Sequence, residues 1–428
     1  MSALSDRIRG IVAPRGSALS GAPDLRDLPD SPGRPAPVDL SPLGGAWRDG
    51  CFVVDRRWEP DARHGRERIG ALAEQLHEAS AEAPLFTAGT PARPPFMFFD
   101  LETTGLSGGA GTLAFLVGCG WFEADGAFAT RQFLLTRHAD ERVLLAAVAA
   151  ELARAGALVS FNGKSFDAPL LEGRYLFHRL TWRGRELPHV DVLHPARRFW
   201  KPRATGSAAM MGEGCSLQAL EKQLIGLRRT GDVPGFEIPA LYFRFVRGGD
   251  AGPLEGVLAH NRLDLLTLAA LTARLLHMAR GGPDTIGDAR ELLALGHVYA
   301  RGGLEERARA SYRRAIERCR SPRGAYDAIR IDALRALALA WRRVRRHEDA
   351  ASCWSELMEI RGCPPPIARE AAEALAIHHE HRVRDLAAAK TFALRNLEEG
   401  VWANAARYRL ARIERKLEAR TLKFEGEV

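Results

Sequence analysis

The chain has 428 residues and a mass of 47.0 kDa, room for two or three domains of ordinary size. With 46% hydrophobic and 27% charged residues it reads as a soluble globular protein. It has neither the ~18 consecutive apolar residues of a membrane span nor an N-terminal secretory pattern, and its six scattered cysteines form no CxxC pair, which excludes a zinc ribbon and suits a reducing cytoplasm. The net charge is +8, of which residues 284–428 carry +6, a balance that permits a polyanionic partner without demonstrating one.

Residues 1–45 are rich in Pro, Gly, Asp and Ser without a sustained period, and are expected to be a mostly disordered leader. Residues 46–95 form a lead-in: a short strand over 50–58, an amphipathic helix over 68–80, and the Pro-rich connector TPARPP at 90–95. Then PFMFFDLET, TLAFLVGCGWF (112–122) and ATRQFLLT (129–136) read as three successive strands bounded by turn residues. A helix over 141–155, a strand at 157–163 and a helix over 167–178 follow. This order predicts an α/β domain over 96–283, built on a mixed sheet with flanking helices.

Beyond residue 283 the period becomes helical. LGHVYARGGLEERARASYRRAIE alternates small and large residues (Leu295, Gly296, Tyr299, Gly303, Ala308, Tyr312 and Ala315) as a tetratricopeptide helix pair does. Looser copies run through Leu337, Ala338, Trp341, Ala350, Trp354 and Leu357, and through Leu375, Ala376, Ala388 and Phe392. An all-α, tetratricopeptide-like region over 284–428 is expected.

The chemistry concentrates in three segments. In FFDLETTG, Asp100 and Glu102 are two residues apart on an apolar strand, so both carboxylates face one side and can bridge a hard cation. Alone, the pair fits a strand end running into water better than a cation site. SFNGKSFD places Asp167 at a helix start, and LAHNRLDLLTLAAL carries His260 and Asp264 four apart, on one helical face.

Together, FDLETTG, FNGKSFD and HNRLD resemble, in order and spread, the three motifs of the DEDD (DnaQ-like) 3′→5′ exonuclease superfamily on the ribonuclease H-like fold. The resemblance is greatest to the bacterial YprB-like group, which joins that domain to tetratricopeptide repeats. There it extends through CSLQALEKQLIG (215–226) and DVPGFEIPALYFRF (232–245). It implies a nuclease, with DNA favoured over RNA, working in repair or processing on a single-stranded 3′ end. Two Mg²⁺ or Mn²⁺ ions would be held by Asp100, Glu102, Asp167 and Asp264. It also implies His260 as the catalytic base, although the histidine subtype carries its His five residues before the last Asp and here the spacing is four. The helical region implies a protein partner such as a helicase. The alternative is a tetratricopeptide scaffold carrying an inactive nuclease-like domain.

Accessory candidates surround the acids. Thr103, Thr104, Gly105, Asn162 and Lys164 are expected at the substrate. Asp191 suits a strand end or an N-cap better than a fifth catalytic acid. ARRFWKPR (196–203) interleaves Arg197, Arg198, Lys201 and Arg203 with Phe199 and Trp200, which fits either a strand-binding track or a loop with its aromatics turned inward. The RRVRRH run (342–347) fits a nucleic-acid edge or a solvated helix end.

Overall fold

In a computed structural model the described residues are 38–87, 90–105, 111–201, 215–319, 327–395 and 403–425. Most of the expected leader therefore lies outside them. At its end, a short helical turn at Ser41–Leu43 buries Leu43.

The lead-in supplies strands β1 (Ala46–Arg48) and β2 (Cys51–Trp58), a small hairpin of β3 (Arg63–His64) with β4 (Glu67–Arg68), and helix α1 (Ile69–Ala79). β5 (Phe96–Thr103), β6 (Ala114–Phe122) and β7 (Phe128–Leu134) form the antiparallel meander that the turn residues anticipated. Helix α2 (Glu141–Leu152) leads to β8 (Ala157–Ser160), α3 (Asp167–Phe177), β9 (His189–Asp191) and α4 (Leu193–Phe199). Among the described residues these build one seven-stranded sheet in the order β1-β2-β7-β6-β5-β8-β9, parallel only at β5–β8 and β8–β9. β2 extends the meander because its residues 52–58 pair along the whole of β7.

The period of two in β5 divides the core. Met97, Phe99 and Leu101 point into a cluster with Leu144, Val148, Leu171 and Tyr242. Phe96 and Phe98 point to the other face, against Leu72, Leu76, Leu265 and Leu268. Asp100 and Glu102 continue the second face, so the strand delivers two acids where its hydrophobic run ends.

A one-turn helix, α5 (Leu217–Leu220), continues through a π-helical turn (Glu221–Ile225). Next come α6 (Ile238–Gly248) and the 28-residue α7 (Leu254–Gly281), about 42 Å long at 1.5 Å per residue. α7 lies across β5 and β6. Its approach depends on Gly118, opposite Asp100 in the register, where a Cβ would stand 2.1 Å from Asn261 Oδ1.

The C-terminal region is helical. Its helices are α8 (Ala289–Arg301), α9 (Glu305–Arg318), α10 (Asp327–Arg343), α11 (His347–Met358), α12 (Pro365–His378), α13 (Leu386–Arg395) and α14 (Ala403–Glu425). α8–α9 is a close pair because Gly296 leaves room for the Tyr312 ring, at 2.3 Å from where a Cβ would sit. In the third pair the small contact residues are Ala389 and Ala393, one position off the expected Ala388. The core against α7 runs without interruption into α8: Leu276, Ala279, Leu292, Leu295 and Val298 belong to one cluster. No described helix is long and apolar enough to cross a membrane, and all six cysteines are unpaired.

Candidate active site

The four acids of the sequence motifs converge at the ends of β5 and β8, beneath the middle of α7. Asp100 and Glu102 come from β5, Asp167 from the first turn of α3, and Asp264 from α7. Burial raises each of their pKa values. Asp100 is raised further by the charges of Asp264, Glu102 and Asp167, and Glu102 by Asp264, Asp167 and Asp232. Asp167 is pushed up to about 7 by burial and by the charge of Asp191. For Asp264, burial outweighs the opposing charges of Arg229 and His260. Carboxylates that repel one another across residues 100–264 share one local field.

Each is held by a defined partner. Asn261 Nδ2 donates to Asp100 Oδ2 at 2.8 Å, and Asn261 Oδ1 accepts from Gln132 Nε2 at 2.8 Å, tying α7 to β5 and β7. Arg229 Nη2 donates to Asp264 Oδ1 at 2.6 Å and to Glu221 Oε2 at 2.7 Å. Burial works against the Arg229 charge, but its bonds and proximity to Glu221 and Asp264 raise its pKa overall, so it stays charged. Thr267 donates from its hydroxyl to the buried Glu221 and stands 2.8 Å from His64 Nε2. A buried polar chain thus runs from the lead-in hairpin to Asp264.

His260 sits at the mouth of this network. Its Nδ1 is 2.8 Å from Asp232 Oδ1 and its Nε2 is 3.6 Å from Asp264 Oδ2. The four-residue spacing therefore turns the imidazole toward the last acid. Asp232, Arg229 and Asn261 were not singled out from the sequence. Asn261 was within reach, because it lies inside the HNRLD motif. Asp232 and Arg229 lie in a loop 28 and 35 residues before their partners, with no period to mark them.

The accessory residues divide. Thr103 Oγ1 donates to the Gly105 carbonyl, and Thr104 Oγ1 accepts from Leu113 N–H, so both hydroxyls close the loop after β5. Asn162 adopts a left-handed φ of 71°, and its N–H and that of Lys164 donate to the two oxygens of Asp191, at 2.8 and 3.2 Å. Asp191 also accepts from Leu193 N–H, which makes it the loop anchor at the end of β9. Phe199 and Trp200 are buried, the Trp200 indole donating to Glu291, so these aromatics belong to the core while Arg197 and Arg198 remain exposed. Arg203 lies outside the described residues.

When ionised, four clustered carboxylates offer hard oxygen donors, the ligand chemistry of Mg²⁺ and Mn²⁺. As they stand, no three His, Cys, Asp or Glu side chains among the described residues close on one point. Asn261 takes one oxygen of Asp100 and Arg229 one of Asp264.

Comparison with known proteins agrees with this architecture. Residues 97–276 match the sequence model of the RNase_H_2 family, of the RNase_H superfamily. The mixed seven-stranded sheet with its helices fits an RNase H-like domain followed by a helical C-terminal region. A Bacillus subtilis (strain 168) protein described as "Uncharacterized protein YprB" is 28% identical over 374 residues, 86% of each chain. The superfamily match suggests nuclease activity and nucleic-acid binding, and RNase H-like nucleases generally use divalent metal ions.

Proposed function

We propose that the protein is a DEDD-type 3′→5′ exonuclease, acting on DNA in preference to RNA, with two Mg²⁺ or Mn²⁺ ions held by Asp100, Glu102, Asp167 and Asp264. The observation that carries this reading is that β5, α3 and α7 bring four acids together, Asp167 buried and the others half-buried, close enough for Asp264, Glu102 and Asp167 to raise the Asp100 pKa. Packing like charges together costs stability that a bound cation would recover, which speaks against an inactive, scaffold-only domain. When bound, the ions stabilise charge on the scissile phosphate and acidify the attacking water.

The protein's own residues supply the rest. His260, turned toward Asp264, accepts the proton of the attacking water, and Asp232 fixes the ring by holding Nδ1. The backbone around Gly105 and the loop of Asn162 and Lys164 receive the strand end, with Asp191 keeping that loop rigid. The nuclease portion comprises residues 96–283 on the platform provided by 46–95. The helix pairs over 284–428 are tetratricopeptide-like, with Gly296 and Tyr312 in the small-and-large alternation.

End-labelled single- and double-stranded DNA and RNA, incubated with Mg²⁺, Mn²⁺ or EDTA, test the proposal. Mononucleotides should be released from the 3′ end only with metal, and Asp100→Asn or Asp264→Asn should lower the rate by at least about a thousandfold. Undiminished cleavage in EDTA, or products released from the 5′ end, would refute it.

A further inference from the structure

A cavity of about 580 Å³ opens between α4, α8, α9 and α10, and none of the four acids lines it. Its wall carries four guanidinium groups, Arg198, Arg301, Arg335 and Arg343, against one carboxylate, Asp332. They come from three helices: Arg198 from α4, Arg301 from the end of α8, and Arg335 and Arg343 from α10. Arg335 is paired with Glu370 and Arg343 with Glu305. Arg198 and Arg301 are exposed, and neither forms an ion pair among the described residues.

The cavity is built by the fold. Gly296 admits the Tyr312 ring, and Tyr312 Oη lies 3.1 Å from His297 Nδ1, fixing the imidazole on the cavity wall. Arg198 reaches the same place from the other side: after burial, its charge is the next cause holding the His297 pKa low. His297 therefore does not add a competing positive charge at neutral pH, and its neutral ring leaves the arginines as the cationic groups.

The position of the cavity relative to the carboxylates argues for its occupant. α4 begins two residues after Asp191, whose carboxylate holds the Asn162–Lys164 loop, and is seven residues long. Arg198 is thus about 7.5 Å along that helix from its first residue, and the arginine-lined wall continues from there along α8 and α10. The guanidinium fork pairs with phosphate through two parallel hydrogen bonds. We propose that this cavity binds the phosphodiester backbone of the nucleic-acid strand whose end occupies the carboxylate site, as a holding site one helix length behind it. The inference rests on the nuclease reading for the strand end, but the binding it describes is measured without catalysis.

The test is fluorescence anisotropy with the full-length protein in EDTA and a fluorescein-labelled 20-nucleotide oligothymidylate, over a range of salt. Arg198→Glu combined with Arg301→Glu should weaken binding at least about tenfold at low salt. It should also flatten the slope of log K against log salt by about 1.4, for two contacts at ~0.7 each. Arg198→Lys combined with Arg301→Lys, which keeps the charge, should hold the slope and guard against misfolding of the reversed variant. An unchanged affinity and slope in the folded Glu variant would overturn the site. So would displacement of the labelled strand by poly-glutamate as readily as by unlabelled oligothymidylate. Wild-type cleavage of the same oligonucleotide with Mn²⁺ reads the nuclease separately: if binding depends on these arginines but nothing is cut, the holding site stands and the nuclease reading falls.

Discussion

Asp167 shows how one side chain couples the site to solution conditions. Burial and Asp191 push its pKa up to about 7, so the folded protein holds a proton that the unfolded chain releases near pH 4. The sign follows from linkage: this contribution favours the fold at low pH and is lost as pH rises toward and through 7. In EDTA, the melting temperature should fall between pH 5 and 8. The stabilisation given by Mn²⁺ should grow over the same window, as ionised acids become available to it. Asp167→Asn should make the profile shallower without abolishing it, because burial also raises Asp100, Glu102 and Asp264, and at pH 8 in EDTA it should melt above wild type. A flat wild-type profile would remove Asp167 as the responsible group. The Asp232–His260 contact makes a separate prediction at the same scale. His260→Ala should lower kcat by about 10²–10⁴ with little change in KM. Asp232→Asn should lose less, and the double variant should be no worse than His260→Ala alone, because Asp232 acts through the ring. Additive losses would show that Asp232 has a different task.

At the scale of elements, the site depends on α7 lying close enough to β6 for Asn261 to reach Asp100. Gly118 permits this, since a Cβ there would stand 2.1 Å from Asn261 Oδ1. Gly118→Ala should therefore cost about 1–3 kcal/mol in urea unfolding, as overpacked cores do, and reduce activity by displacing the helix. Adding Asn261→Ala should return much of the stability but not the activity. An unperturbed Gly118→Ala protein would mean that α7 does not fix the geometry of Asp100. Much of this element level was legible in the sequence. β5, β6 and β7 alternate or run apolar between turn residues, and their bounds fall within two residues of the expected ones. The amphipathic α1 was equally marked, whereas only the 258–271 part of α7 was read as helix, which continues over 254–281. β9, at three residues, is too short to show a period, and β1 owes its place to pairing with β2 rather than to its own pattern. The four acids that the structure brings together were gathered in the sequence by the resemblance of their three motifs, each being ambiguous alone. Arg229 and Asp232 could not, because their roles arise only when the loop before α6 folds back onto α7.

For the whole molecule, the change from strand to helical periodicity near residue 284 does not coincide with a gap in packing. Leu40–Val428 forms one compact body, and the cluster that includes Leu276 and Ala279 of α7 continues through Leu292, Leu295 and Val298 of α8. Tyr299 Oη donates to the Ala279 carbonyl at 2.6 Å, and Trp200 Nε1 donates to Glu291 Oε1 at 2.8 Å, so polar contacts cross the same boundary. Leu292, Leu295, Val298 and Tyr299 are fully buried. At ~1.5–3 kcal/mol for each aliphatic side chain withdrawn from water, these contacts rival the 5–15 kcal/mol net stability of an ordinary domain. A fragment of residues 40–283 should accordingly expose the apolar side of α7 and be aggregation-prone, or melt well below the full-length protein. A fragment of residues 40–319, which retains α8 and α9 over that surface, should be soluble. Comparing the two by size-exclusion chromatography and thermal melting separates the possibilities. If the shorter fragment is monomeric and melts with the full-length protein, the first helix pair is a detachable module. If only the longer one folds, α8 and α9 complete the core on which α7 rests.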